Sequence, residues 1–116
     1  MTFNKIEYKK FLKYLRRAYP LPDCPPIALK FHEGLIDGFA NGKVEMSPKK
    51  ITMTINTARD HRLPAQVIGH EYRHLIQVGL MNWPSGSADH DKRESDANRF
   101  GNNVLWEYTE ACTATA

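Results

Sequence analysis

The stretch PAQVIGHEYRHLIQVG, Pro64–Gly79, decides how the rest of the chain is read. Val67, Ile68, Tyr72, Leu75 and Ile76 recur at helical period. Pro64 suits a first helical turn, and Gly79 is a good stop. On such a helix His70 and His74, four residues apart, project from one face a turn apart, with Glu71 beside them. Two neutral imidazoles so placed can share one Zn²⁺, while the glutamate points into the same cleft without ligating. With 5 His among 116 residues, chance gives this H-E-x-x-H spacing in about one such sequence per hundred.

A catalytic zinc takes three protein ligands and keeps a fourth position open, so a third ligand is needed downstream. A third histidine six residues on is absent: position 80 is Leu80, and position 77 is Gln77 where that pattern needs glycine. Two candidates remain. Glu94 opens the run Glu94-Ser95-Asp96-Ala97-Asn98-Arg99-Phe100, near the start of a helix expected over residues 89–108. Ala97 is small enough to let this helix approach the His helix, and Phe100 would anchor it. Asn98, on the same face as Glu94, can hydrogen-bond the second nitrogen of a ligating imidazole and fix its tautomer. His90 is the competing third ligand. Without H-E-x-x-H upstream, the same residues would read as a solvated helix start, with Asp91 as cap and Glu94 closing a capping box.

Upstream, residues 4–19 read as an amphipathic helix with Ile6, Phe11, Leu12, Leu15 and Tyr19 at helical spacing. Pro20, Pro22, Pro25 and Pro26 end it and impose an extended connector. Strands are expected at residues 27–32, 35–40, 43–46 and 51–56, with Asn41-Gly42 as a hairpin turn and residues 47–50 as another. Residues 81–87 read as a loop and 111–116 as a frayed tail. The fold class is therefore α+β in a single domain over residues 1–116. It comprises an N-terminal helix, a small three- to four-stranded, mostly antiparallel sheet, the H-E-x-x-H helix and a C-terminal helix carrying the third ligand.

Bulk composition agrees with an ordinary globular domain: 41% hydrophobic and 25% charged residues. No apolar run approaches the roughly 20 residues that cross a bilayer. Residues 1–13 lack the apolar core of a signal peptide, so no membrane partner and a cytoplasmic location are expected. Cys24 and Cys112 match no C-x-x-C spacing and are expected as two thiols. The net charge of +3 is uneven. Residues 1–50 hold ten Lys/Arg against five Asp/Glu, and residues 51–116 hold six against eight. That basic front end could meet nucleic acid or an acidic partner, or be simply a solvated helix face.

His70-Glu71-Tyr72-Arg73-His74 with Glu94-x-x-Ala97-Asn98-x-Phe100 resembles the gluzincin metallopeptidases. Within them it is most similar to the ImmA/IrrE type and to compact minimal gluzincins. The resemblance implies a zincin-like minimal catalytic domain with one Zn²⁺ per chain on His70, His74 and Glu94. Glu71 would be general base for hydrolysis of peptide bonds in a protein or peptide substrate, such as a regulatory repressor. An oxyanion donor is also implied, for which His90, Tyr72 and Tyr108 are candidates. The substrate would lie along a sheet edge, expected at residues 51–56 with Thr52, Thr54 and Asn56 exposed. His61 and His32 read as surface residues. Cys112 could reach the zinc from the tail as a latency device. Two other readings stand beside this one: a zinc-stabilised protein- or DNA-binding module without turnover, and an SprT-like DNA-linked protease using His90. The chain departs from the ImmA/IrrE pattern in carrying no attached DNA-binding module and in being short.

Overall fold

The computed structural model describes residues 5–58, 63–81 and 90–114. Helix α1, Lys5–Ala18, turns Tyr8, Phe11, Leu12 and Leu15 inward. These lie at i, i+3, i+4 and i+7, one stripe of an amphipathic helix. The Tyr19 N–H donates to Leu15 O at 2.8 Å, closing the last turn before Pro20 stops the ladder.

Three strands follow: β1, Ile27–His32; β2, Gly42–Met46; and β3, Ile51–Asn56. They form one sheet in the order β1-β3-β2. β3 runs parallel to β1 and antiparallel to β2, so the sheet is mixed rather than mostly antiparallel. The physical reason lies in burial. Ile51, Met53, Ile55 and Asn56 of β3 are the buried strand residues, which puts β3 in the centre. β2 returns through the 47–50 turn, and β1 takes the remaining side.

Residues 35–40 are not a strand. Asp37 (φ 54°) and Gly38 (φ 83°) reverse the chain at once, leaving a lone bridge between Ile36 and Ala40. The Asp-Gly pair, not Asn41-Gly42, supplies the left-handed turn there. Asn56 secures the neighbouring loop. Its Oδ1 accepts from Gly34 N at 2.9 Å and Ala58 N at 2.8 Å, and its Nδ2 donates to Asn41 Oδ1 at 3.1 Å.

Helix α2, Pro64–Gly79, starts on Pro64 without a side-chain cap and ends where expected. It shares the core with α1 and the inner face of β3. Each fully buried side chain there, such as Phe11, Leu15, Met53 or Ile68, contributes about 1.5–3 kcal/mol. Helix α3, His90–Ala114, packs along α2 and continues through most of the expected tail. Its later turns stay docked because the Tyr108 ring lies 5.0 Å from Phe11 and 5.1 Å from Tyr14. Tyr19 also donates to Glu107 at 2.6 Å. Among the described residues no disulfide joins Cys24 and Cys112, and no helix is long and apolar enough to cross a membrane. Asp89, His61 and most of the expected 81–87 loop lie outside the described residues.

Candidate metal centre

Two glycines bring α2 and α3 together. A Cβ on Gly69 would sit 2.9 Å from Gly101 Cα, and one on Gly101 would sit 2.7 Å from Gln66 O and 3.1 Å from His70 N. The helices therefore touch backbone to backbone, with Ala97 fully buried one turn before Gly101. At that separation, short side chains from both helices meet.

His70 Nε2 lies 2.7 Å from Glu94 Oε2, His74 Nε2 lies 3.1 Å from the same oxygen, and the two Nε2 atoms are 3.0 Å apart. Each imidazole is oriented from its other nitrogen. His70 Nδ1–H donates to Asn98 Oδ1 at 2.8 Å, and His74 Nδ1–H donates to Gln77 Oε1 at 3.0 Å. Gln77 has no freedom to flip, because its Nε2 donates to Arg93 O at 3.0 Å and Asp96 Oδ2 at 2.9 Å. Asp96 is held in turn by Arg73 Nε at 2.7 Å. That guanidinium, and to a smaller degree Gln77, keeps the Asp96 carboxyl below its ordinary range.

With both Nδ1 positions protonated, neutral imidazoles present bare Nε2 lone pairs to each other and to a carboxylate oxygen. Three such lone pairs within about 3 Å repel unless a proton or a metal cation lies among them. Burial, and then the neighbouring His74, pushes the His70 pKa below its usual value, which favours the neutral, ligating form. Two imidazoles and one carboxylate are a donor set that zinc takes, and its bond lengths put tetrahedral ligand atoms roughly 3.3 Å apart. The residues therefore fit a zinc ion with small outward adjustments.

Glu71 is almost fully buried, and its carboxylate lies within 4.8 Å of the imidazole nitrogens of His70 and His74. Burial pushes its carboxyl up to about 7, with Glu94 adding to the rise and His74 opposing it. Gly42 on β2 makes room for it, since a Cβ there would sit 2.9 Å from Glu71 Cγ and 2.6 Å from Val67 Cγ1. Two hollows flank this carboxylate, one of about 460 Å³ beside Gly42 and one of about 300 Å³ beside Val44 and Met46.

The structure thus brings together His70, Glu71, His74, Glu94 and Asn98. His90, exposed at the first residue of α3, lines the mouth of both hollows, but it is Glu94 that meets the imidazoles. Tyr72 and Tyr108 are not donors to this site. Tyr72 is fully buried and donates to Tyr19 O at 2.6 Å, while Tyr108 packs on α1. Burial pushes both hydroxyls up to about 12. Cys112 cannot cover this cluster, because 18 residues of helix put it roughly 27 Å from Glu94.

Thr52, Thr54 and Asn56 lie on the central strand, so they form no edge; both sides of β3 are already paired. The strand beside the cleft is β2. Sequence reasoning also missed Gln77, Asp96, Gly69, Gly101 and Gly42. Gln77, at i+3 from His74, was the one with a usable spacing signal. No family model, no curated protein and no solved structure matches the chain.

Proposed function

We propose that the chain is a gluzincin-like zinc endopeptidase acting on an extended segment of a protein substrate. The observation that carries this reading is the convergence of His70 Nε2, His74 Nε2 and Glu94 Oε2 at 2.7–3.1 Å beside the buried Glu71. His70, His74 and Glu94 would hold the ion. When bound, zinc supplies Lewis-acid chemistry, polarising a carbonyl and activating a water near neutral pH.

The remaining steps belong to the chain. Glu71 takes a proton onto its carboxylate as the water attacks and returns it to the departing amine. A carboxyl whose pKa stands near neutrality suits both transfers, and the cation's charge would draw that pKa down toward the base form. Asn98 and Gln77 keep the imidazoles aimed, and Gly42 lets β2 pass close over Glu71.

Substrate binding falls to β2. Ser47 and Lys50 exchange backbone hydrogen bonds, and Asn56 N donates to Asn41 O, so by antiparallel alternation residues 43 and 45 face β3. Gly42, Val44 and Met46 then turn their backbone groups toward the cleft. An extended peptide pairing there would lie across Glu71 and Glu94, with its side chains in the two hollows.

The test is Glu71→Gln with zinc content measured alongside cleavage of a labelled unfolded protein. Activity should fall by about 10²–10⁴-fold with zinc stoichiometry unchanged. Undiminished cleavage overturns the role of Glu71. Wild-type protein that binds zinc and cleaves nothing would mark a zinc-stabilised binding module instead.

A further inference from the structure

The opposite edge of the sheet carries a groove of its own. Helix α1 and strand β1 flank a groove of about 430 Å³, lined by Leu12, Ile27 and Leu29 with Lys9, Lys13 and Arg16. Among the described residues no carboxylate lines it. All three cations are exposed, and none makes an ion pair among the described residues. They stand at i, i+4 and i+7, on one face of α1.

β1 is unpaired on its outer side among the described residues. Pro26 O accepts from Ile51 N at 2.9 Å and His32 O from Thr57 N at 2.8 Å. A parallel ladder alternates, so residues 28 and 30 also face β3, and Ile27, Leu29 and Phe31 turn their N–H and C=O outward. Their side chains point to the α1 side, as the Tyr8–Phe31 ring contact at 5.4 Å demonstrates.

Two independent features therefore coincide: open backbone hydrogen-bonding groups, and a row of cations overhanging them. Lys9 and Lys13 are separated by roughly 6 Å along the helix. Side chains on one face of a strand repeat at roughly 6.6 Å. An added strand with carboxylates at every second position would place one beneath each lysine. Nucleic acid would use the cations but leave the β1 backbone unpaired, so the open edge favours a peptide.

We infer that this groove docks an acidic, extended peptide segment as an additional strand on β1, with carboxylates at alternate positions facing Lys9, Lys13 and Arg16. The site stands apart from the metal centre and does not depend on it. It gives the protein a second hold on a partner whose chain bears an alternating acidic run.

An eight-residue peptide alternating glutamate and threonine, labelled for fluorescence anisotropy, tests this directly on the full chain. It should bind, and Lys9→Glu with Lys13→Glu should weaken it by about tenfold or more. Two N-methylated versions separate pairing from mere charge. Methylation of the alternate amides that face β1 should abolish binding, and methylation of the other set should leave it intact. Leu29→Pro removes one outward N–H without touching the β3 ladder and should also weaken binding, its fold being checked by thermal unfolding. The inference is overturned if both methylated peptides bind like the parent. It is overturned equally if a single-stranded oligonucleotide binds as tightly and displaces the peptide while Leu29→Pro, still folded, has no effect. Failure of the peptide to bind at low salt overturns it as well.

Discussion

The cleft-facing and core-facing sides of α2 make different use of neighbouring residues. Toward α3, His70, His74 and Gln77 spend their polar atoms on one another and on Glu94, Asn98 and Asp96. Toward α1 and the sheet, Val67, Ile68 and Tyr72 are apolar contact, with a single hydrogen bond from Tyr72 to Tyr19 O. Tyr72 stands two places after His70 and two before His74, yet it points some 200° round the helix from either. The positions that a metal motif leaves unspecified are therefore claimed by the fold. Substitutions on the first side should disturb metal and chemistry while the fold holds; those on the second should disturb stability and leave zinc bound.

The sharpest break would come at Glu94. Glu94→Ala should strip stoichiometric zinc and abolish the stabilisation that excess zinc is expected to give the wild type, about 2.7 kcal/mol at a hundredfold over Kd. His90→Ala should keep both, as metal analysis and thermal unfolding would record. Next is Asn98→Ala, which leaves the His70 Nδ1–H without its acceptor. Zinc affinity measured against a competing chelator should fall by about 10–100-fold, with the metal-free unfolding midpoint little changed.

Gly101→Ala tests the border between the two classes. Its new methyl collides with Gln66 O and His70 N, so metal-free stability should drop by about 1–3 kcal/mol and zinc affinity should fall with it. The smallest effect is expected at Tyr72→Phe, about 1 kcal/mol for one lost hydrogen bond, with zinc affinity unaltered. Its alkaline behaviour is diagnostic. Burial raises Tyr72 from 10.0 to about 12, so the stability tied to its neutral form is whole below pH 10 and lost as pH rises through 12. Metal-free Tyr72→Phe should unfold less steeply across that window. If it instead lost zinc as Asn98→Ala does, the two faces would not be separable.

Sequence alone reached α2 end to end, because Pro64, Gly79 and a long 3.6-residue pattern all agree. It also singled out Glu94 and Asn98, which the structure sets beside the histidines, since i, i+4 spacing on a second helix has direct chemical meaning beside H-E-x-x-H. The sheet was less legible. Strand existence follows from alternation at Ile27–His32 and Ile51–Asn56, but strand order depends on which strand buries most, and no local pattern records that. Asn41-Gly42 and Asp37-Gly38 carry equivalent turn chemistry four residues apart, and only the folded backbone chooses between them. α3 outran its expected end because Tyr108 docks on Phe11 and Tyr14 across the molecule, a contact between distant stretches that no local pattern records. Gly69 and Gly101 were silent, since each glycine has meaning only when set against the other.

That glycine contact also acts as a fulcrum. Glu94 lies seven residues from Gly101, a lever arm of roughly 10 Å along α3. A tilt of about 5° between the helices would swing Glu94 by about 0.9 Å, against a tolerance of about 0.2 Å for a metal–ligand bond. Asn98 and Asp96 are tied to α2 between the fulcrum and the end of the lever, at 2.8 Å to His70 and 2.7 Å to Arg73. They brace the arm where leverage is already large. In the proposed site the accuracy of the metal geometry would thus be a matter of angular stiffness, set by where α3 is clamped and not only by which residues it carries.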